Sequence, residues 1–494
     1  MTDKKTLLFY FVLLGIGALF GTTLLVVPPQ FLSFFLGLCV LSGLAVFCLV
    51  NPTLLLYFVI IASAAGGLVQ DLGKLDAGST EITVSGLQWL FIAGICVLFV
   101  GFNLRYVRLP GHLYPFLFFV IWVIVRWATS SFNLVGMKDV LFYTLPFLTC
   151  VYTLAGAKCA RKMDIEKIGA ALLMSVTIPV SVVVILVSLG QLDLEAKGPT
   201  GLVHPRTIAL HLVVILAFSV AQWRYGGTAS ARRWGGFVSI LALGTILFTL
   251  SRMASLTALL VVATAKLDPR KLWKLLPTAS VGAVIFGLVL FHVPWFRQRS
   301  FFSEDVKLSD SFEHLNTAGR ADQFWPLTSA HALQKPVFGW GPGGARIFLG
   351  RVGRKVVDKW EPSDYHPHNE YLQVYHDMGI PGLGLMLLTW GALLSRCWRD
   401  WRQAHLSRNT RAAKWSMAAT VNLAAILFTI ITDNTLHFAF VTTPVFIIVA
   451  CTELLNRPYW QLSPSWEKQV RKDRSRASPV PVRYRFSPAS LTTS

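Results

Sequence analysis

His368 is the residue whose type and position best suit chemistry, because it lies just before an apolar stretch that begins near Tyr371. A helix N-terminus carries partial positive charge, which disfavours the imidazolium form of a histidine there. A neutral imidazole can accept a proton near neutral pH, so His368 is a candidate general base. Asn369 suits a helix cap or a partner that orients the histidine. The alternative is that His368 merely caps the helix.

A second candidate group consists of basic side chains that the expected topology places at one membrane face. Arg252 is expected at an outer turn and Arg320 in a large outer loop, while His204 and Arg206 are expected at the outer start of a helix. Guanidinium groups bind two phosphate oxygens at once, so together these arginines suit a pyrophosphate. For each of them, and for Arg126 near the outer end of its helix, the alternative is snorkelling or a structural salt bridge.

Metal and nucleotide sites are disfavoured by spacing. His366 and His368 flank a proline, but no third ligand follows at a standard spacing, so no metal is expected. The glycine-rich stretch 339–344 lacks the Lys-Ser/Thr of a P-loop and predicts a loop turn. The large loop holds no Asp-x-Asp pair, which disfavours a metal-bound nucleotide-sugar donor. We expect chemistry that uses neither metal nor cofactor.

The elements that must position these residues are membrane helices. Hydrophobic residues make up 54% of the 494 residues, only 14% are charged, and the mean hydropathy is +0.56. The runs 7–27, 31–49, 168–189 and 275–291 are each long enough for a hydrocarbon core about 30 Å thick, and they show no polar stripe. The sequence therefore predicts an all-α polytopic membrane protein.

Charge gives the orientation. The formal net charge of +20 is concentrated in short connectors and in the tail. Connector clusters include Arg105 and Arg108; Lys158, Arg161, Lys162 and Lys167; Arg224, Arg232 and Arg233; Lys266, Arg270, Lys271 and Lys274; and Arg396, Arg399, Arg402, Arg408, Arg411 and Lys414. This is a positive-inside pattern, with both termini cytoplasmic and a basic tail that faces anionic lipids. It argues against a nucleic-acid partner.

The spans divide the chain into four parts: a transmembrane bundle over 1–291, a large periplasmic loop over 292–370, C-terminal transmembrane helices over 371–455, and a basic cytoplasmic tail over 456–494. The loop mixes charged, aromatic and glycine residues, so we expect it to be folded. The total is about 12–14 transmembrane helices.

The segment 237–265 is too long for one upright span, since its 29 residues would extend about 43 Å as a helix. A single helix would also bring Arg252 near the membrane midplane at a cost of several kcal/mol. Two short helices that turn at Ser251-Arg252 leave both basic flanks inside. We therefore expect a hairpin.

Ordered motifs in this chain resemble those of a known family. His368-Asn369, nine residues, and then Gly379-Ile380-Pro381-Gly382 resemble the His-Asn/Ser/Gln-x9-Gly-x-x-Gly signature of bacterial O-antigen ligases. Gly319-Arg320, Trp325 and the stretch 335–341 resemble the segment before that signature, and Leu250-Ser251-Arg252 resembles the family's Ser-Arg junction. Residues 201–206 occupy the place of a Gly-x-x-x-Pro-Asn segment, but Arg206 stands where the family has Asn.

The resemblance, which spans about residues 195–395, implies a GT-C-like membrane glycosyltransferase. It implies a glycan donor linked to undecaprenyl pyrophosphate and a glycan or lipid A-core acceptor, with the active site facing the periplasm of the bacterial inner membrane. Arg206, Arg252 and Arg320 would stabilise the departing pyrophosphate, with His204 and Asn369 as further substrate-binding residues. His368 would take the hydroxyl proton, and direct displacement would invert the anomeric centre.

Several alternatives stay open at the level of sequence. Ligation to lipopolysaccharide core is the first choice, and Wzy-type polymerisation is close behind it. A protein O-oligosaccharyltransferase carries the same motifs. A small-anion transporter is the rival from a different class, but transporters keep charged residues near the midplane on broken helices, whereas these charges are expected at the outer rim. A non-catalytic assembly scaffold is the remaining alternative.

Overall fold

The computed structural model describes residues 45, 47–69, 74–77, 80–104, 107, 109–130, 134–159, 163–188, 205–249, 251–270, 324–353 and 366–457. Within them the chain is helical, apart from a two-stranded antiparallel hairpin of β1 (Lys74–Ala77) and β2 (Thr80–Thr83). The helices are α1 Pro52–Val69, α2 Val84–Phe102, α3 Tyr114–Thr129, α4 Leu134–Cys159, α5 Ile165–Met174, α6 Thr177–Ser188, α7 Pro205–Tyr225, α8 Ala229–Phe248, α9 Arg252–Ala263, α10 Trp325–Ala332, α11 Gly344–Gly353, α12 Glu370–Leu406, α13 Thr410–Thr429 and α14 Ala439–Asn456.

Length and composition make many of these helices membrane helices. In the described residues, six are long and apolar enough to cross a membrane. They are Gly111–Thr129, Val135–Cys159, Ile165–Ile185, Thr207–Tyr225, Glu370–Leu406 and Ala439–Asn456. The stretches Pro52–Gly66 and Gly86–Phe102 are apolar but shorter. The predicted all-α polytopic membrane fold is therefore confirmed, whereas the expected spans over 7–27 and 275–291 lie outside the described residues.

Helix α7 lies in the interior of the bundle and packs against α8, α9 and α13. Its side chains from Ile208 to Ala221 are buried. Phe218 meets Trp415 of α13 edge to face, with the ring centroids 4.8 Å apart. Gly169 of α5 adjoins this pair, because a Cβ there would lie 2.9 Å from Phe218 Cζ. Small and aromatic residues thus interlock where three helices meet, as tight packing between membrane helices requires.

Contacts at the C-terminal end of α7 define one end of the bundle, called here the basic end. The guanidinium of Arg224 donates to the carbonyl oxygens of Thr264 and Leu267, just beyond α9. The hydroxyl of Tyr225 lies 3.0 Å from Nδ1 of His405, near the end of α12. Helices α7, α9 and α12 therefore finish together at the basic end. All three helices run to it from the opposite side of the bundle, called here the site end.

This arrangement confirms the predicted hairpin over 237–265. Helix α8 starts beside the end of α7, where Arg232 donates to the carbonyl oxygen of Gly226. The helical run stops at Phe248 and resumes at Arg252, with Ser251 as the N-cap residue. Since α9 returns to Arg224, the chain reverses at the Ser251 turn. Arg252 therefore lies at the site end.

Helix α12 is broken at Gly379, whose backbone is left-handed and extended (φ 68°, ψ −170°). The break frees backbone groups, and the loop between α10 and α11 pairs with them. Trp340 N–H donates to the carbonyl of His376 at 2.9 Å, and Gly341 N–H to that of Asp377 at 2.7 Å. Ile380 N–H donates to Pro336 at 2.9 Å. Irregular backbone persists at membrane depth only where protein satisfies it in this way.

The glycines at positions 379, 382 and 384 have different surroundings. A Cβ on Gly382 would lie 3.3 Å from the indole nitrogen of Trp122, so this glycine does permit close packing of α12 on α3. Gly379 instead has the left-handed backbone conformation at which α12 is broken. Gly384 has no atom within 4 Å of its Cβ position among the described residues.

The described part of the large loop is folded, as the sequence predicted. Helices α10 and α11 both pack on α12. The glycine-rich stretch between them is a turn, with positive φ at Gly339, Gly341 and Gly343. A Cβ on Gly341 would lie 2.2 Å from Ser130 Oγ. Only glycine fits this close approach to the end of α3.

Candidate active site

The turn that carries His368 opens α12. The helix begins at Glu370, and its N-cap is Asn369, whose side-chain oxygen accepts the N–H of Leu372 at 2.9 Å. His368 is half-buried and has φ 53°, a left-handed conformation that is uncommon outside glycine. Asn369 therefore takes the capping role that the sequence allowed for either residue. Non-glycine residues held in such a conformation cluster at functional sites.

Two contacts fix this turn in place. The indole N–H of Trp325, the first residue of α10, donates to the carbonyl oxygen of Pro367 at 2.7 Å. The N–H of Glu370 donates to the carbonyl of Ile430, just beyond α13, at 3.0 Å. Trp325, which the sequence suggested only through the family resemblance, thus ties α10 to the residue before His368.

A buried group of charged side chains lies next to this turn. His437, between α13 and α14, contacts Glu370 through Nδ1 at 2.7 Å and Asp139 through Nε2 at 3.4 Å. Arg346 of α11 donates to the same oxygen of Asp139 at 3.0 Å. Tyr143 adds its hydroxyl to Glu370 at 3.2 Å. Two carboxylates thus face one guanidinium and one imidazole, which balances the charge if His437 is protonated.

The electrostatics favour that protonation. Burial alone would lower the pKa of His437, but Glu370 and Asp139 outweigh it and raise the pKa to about 10. His366 behaves in the opposite way, since removal from water and the charges of Arg346 and His437 hold its pKa well below the usual 6.5. Adjacent imidazoles, with ring centroids 5.3 Å apart, are therefore one cationic and one neutral.

The amide of Gln373 joins these two histidines. Its nitrogen lies 3.1 Å from Nε2 of His437 and its oxygen 3.4 Å from Nδ1 of His366. A doubly protonated His437 can only donate, so a half-turn of the amide lets its oxygen accept from His437 and its nitrogen donate to His366. Neutral His366 then carries its proton on Nε2. Its ring centroid is 6.3 Å from that of His368.

A second polar cluster lies where the loop docks against α12. Nδ1 of His376 is 2.8 Å from Oδ1 of Asp377, and Nε2 of His376 is 2.8 Å from Nδ1 of His331 at the end of α10. Asp377 also accepts the N–H groups of Gly343 at 3.1 Å and Ala345 at 2.7 Å. Both His376 and Asp377 are fully buried.

The structure places the sequence-predicted arginines unevenly. Arg252 begins α9 at the site end, as expected. Arg206 lies in the first turn of α7, also at that end, but its side chain lies outside the described residues, as do His204 and Arg320. Arg126 donates to the carbonyls of Phe338 at 2.7 Å and Gly339 at 3.3 Å. Arg126 therefore has a structural role, because these hydrogen bonds anchor the loop between α10 and α11.

Sequence reasoning missed the buried charges. Asp139 and His437 interrupt apolar stretches, and an ionisable residue in a membrane segment is a functional hypothesis by default. That signal could have marked both residues. It could not have paired Asp139 with Arg346, which lies 207 positions away. Among the described residues, no three His, Cys, Asp or Glu side chains come together as ligands for a metal ion.

Comparison with known proteins bears on the same region. Residues 237–387 match the family model described as O-antigen ligase, and this stretch includes Arg252, the loop, His368 and the signature glycines. No curated protein matches the chain. The match confirms the resemblance seen in the motifs and supports a membrane enzyme that transfers glycans, of the ligase or polymerase type. Residues 237–387 of this polytopic membrane protein are thus similar to the O-antigen ligase family.

Proposed function

We propose that this protein transfers a glycan from undecaprenyl pyrophosphate to an acceptor hydroxyl on the periplasmic side of the bacterial inner membrane, with lipopolysaccharide core as the acceptor. The observation that carries the proposal is the geometry of His368. It lies in a left-handed turn at the site end of the bundle, directly before the cap of a broken helix and inside the O-antigen ligase region.

The proposed chemistry is a direct displacement. The acceptor oxygen forms a bond to the anomeric carbon of the glycan, and the bond from that carbon to the phosphate oxygen breaks with its electron pair. The hydroxyl proton passes to His368, and undecaprenyl pyrophosphate leaves. One displacement inverts the anomeric centre. Because pyrophosphate is a good leaving group, the protein needs a base and cations, with no metal in the step.

The cations proposed for the pyrophosphate are Arg252, Arg206 and Arg320, with His204 and Asn369 as further contacts to substrate. Arg252 and Arg206 begin helices that start at the site end, so both belong to the same end of the bundle as His368. Guanidinium groups aimed at a developing phosphate charge stabilise the transition state more than the ground state.

The orientation follows from charge. The basic end of the bundle carries Arg224, Arg232 and Arg402, which the positive-inside rule assigns to the cytoplasm. The site end then faces the periplasm, where lipid-linked glycans are available. Both termini are cytoplasmic in this orientation, and the basic tail contacts anionic lipids.

The test is transfer by the purified full-length protein in nanodiscs, with a lipid-linked glycan donor and lipopolysaccharide core as acceptor. His368→Asn should lower turnover roughly 10²–10⁴-fold, because it removes the base. His405→Asn is the matched control, since His405 lies at the basic end against Tyr225. It should transfer normally.

Two outcomes would contradict the proposal. Near-normal turnover by His368→Asn would remove this histidine from catalysis. Elongation of the donor glycan in place of ligation to core would make the protein a polymerase and overturn the acceptor assignment.

A further inference from the structure

The peptide between Pro367 and His368 is held by a hydrogen bond whose direction is unambiguous. An indole N–H can only donate and a carbonyl oxygen can only accept, so Trp325 donates to the carbonyl of Pro367 at 2.7 Å. The ring of Pro367 already fixes its own φ, and the bond fixes the direction in which its carbonyl points. Because a peptide unit is planar, the backbone N–H of His368 is fixed with that carbonyl.

The chain on the other side of His368 is held independently of Trp325. Asn369 caps α12 by accepting the N–H of Leu372 at 2.9 Å, and the N–H of Glu370 donates to the carbonyl of Ile430 at 3.0 Å. These contacts keep the start of α12 in place whether or not Trp325 is bonded. The left-handed φ of 53° therefore arises where two separately held parts of the chain join.

The strength of the Trp325 bond is comparable to the cost of the conformation that it supports. A left-handed backbone reduces the population of a non-glycine residue roughly 5–30-fold, and one neutral hydrogen bond contributes roughly 3–10-fold. Without the indole N–H, His368 would spend more of its time at negative φ. Because the rotamers open to a side chain depend on φ and ψ, its imidazole would then point elsewhere.

Helix α10, which begins at Trp325, is held by several contacts at its other end. The indole N–H of Trp340 donates to the carbonyl of His331 at 3.0 Å. The His331 ring stacks on Trp340 with the ring centroids 4.2 Å apart and on Phe348 with the centroids 3.8 Å apart. The helix also packs on α12. Because these contacts are several, α10 should stay docked when any one of them is lost.

We propose that Trp325 is a positioning residue for His368: its indole N–H holds the peptide before the histidine and so keeps the imidazole where it can take the acceptor's proton. This inference rests on the proposed function, because it takes His368 as the base. Trp325 acts only through His368. The competing explanation is that Trp325 merely staples α10 to the start of α12.

Two substitutions separate these explanations because they remove the same kind of bond from the same helix. Trp325→Phe and Trp340→Phe each delete one indole N–H that donates to a backbone carbonyl, at 2.7 Å and 3.0 Å, and each keeps an aromatic ring. Only the first of these bonds reaches the residue before His368. A staple predicts similar effects of the two changes on both stability and transfer.

The first measurement is the kinetics of glycan transfer by the full-length protein in nanodiscs, with the melting temperature of each sample. Trp325→Phe should lower kcat roughly 3–10-fold, the effect of one neutral hydrogen bond on the population of the working conformation. Its KM for the lipid-linked donor should not change, since the groups proposed for the pyrophosphate are intact. Trp340→Phe should keep the kcat of the unmodified protein, even if its melting temperature falls as far.

The second measurement does not depend on activity. Electron cryomicroscopy maps of the same samples should show the Pro367 carbonyl turned away and His368 at negative φ in a large share of the Trp325→Phe molecules. Trp340→Phe should show His368 as in the unmodified protein, at φ 53°.

Equal losses of kcat in the two variants, or a normal kcat in Trp325→Phe, would overturn the proposal and leave only the staple. So would an unchanged His368 in the Trp325→Phe map. An unmodified protein that transfers nothing would instead refute the proposed function, and the maps would still decide whether Trp325 holds the turn.

Discussion

Nδ1 of His437 lies 2.7 Å from Oε1 of Glu370, and this contact joins the connection between α13 and α14 to the first residue of α12. Both side chains are buried. Because Glu370 immediately follows Asn369, the pair of Glu370 and His437 helps to hold the turn that carries His368. Removing one partner of a buried ion pair typically costs about 3–5 kcal/mol, because the other charge is left uncompensated.

This pair predicts a dependence of stability on pH. The pKa of His437 is raised from 6.5 to about 10, so its contribution to stability is complete below pH 6.5 and is lost as the pH rises through about 10. We expect the melting temperature of the purified protein to fall between pH 7 and pH 10. In His437→Gln the melting temperature should start lower and change less over that range. An equal slope in both proteins would contradict the assignment.

The break in α12 predicts a large difference between two glycine substitutions. Gly379→Ala adds a Cβ 2.0 Å from the carbonyl oxygen of Val337, at a backbone φ of 68° that by itself costs alanine about 1–2 kcal/mol. We expect a lower melting temperature and loss of transfer. Gly384→Ala is the matched control, because no described atom lies within 4 Å and alanine favours helix by about 1 kcal/mol. Equal effects of the two would show that the break is not required.

A charge-conserving pair of variants separates pyrophosphate binding from structural roles. Arg252→Lys keeps the charge but loses the planar fork, so transfer should fall roughly ten- to hundredfold at unchanged melting temperature. Arg126→Lys should instead lower the melting temperature, because Arg126 holds the carbonyl groups of Phe338 and Gly339. Full activity of Arg252→Lys would remove this residue from the proposed clamp.

Labelling can check the orientation of the bundle. A cysteine introduced at Leu333 should react with a membrane-impermeant maleimide added from the periplasmic side. Cysteines at Arg233 and Arg402 should react only after the cytoplasmic side is opened. Native cysteines 48, 96, 150, 397 and 451 are buried, and Cys39 and the partly exposed Cys159 are first replaced by serine to keep the background low. Labelling of Leu333 and Arg402 from the same side would reverse or abolish the proposed topology.

The sequence by itself determined features that depend on neighbours along the chain. Apolar length predicted the membrane helices, and the charges that flank 237–265 predicted the hairpin at Ser251. The position of His368 before a helix and the glycine-rich turn at 339–344 were likewise readable, because a cap or a tight turn is decided within a few residues.

Only the tertiary structure decided which polar groups meet. His331 and His376 are 45 positions apart, and Asp139 and Arg346 are 207 apart. Nothing in the local pattern records such pairs, since they arise when a loop docks into a broken helix and closes over buried charge. The same packing decided that Arg126 hydrogen-bonds to the loop and that Asn369 caps the helix. Burial then made each of these polar contacts obligatory, because an unpaired charge in the interior of a membrane bundle is too costly to persist.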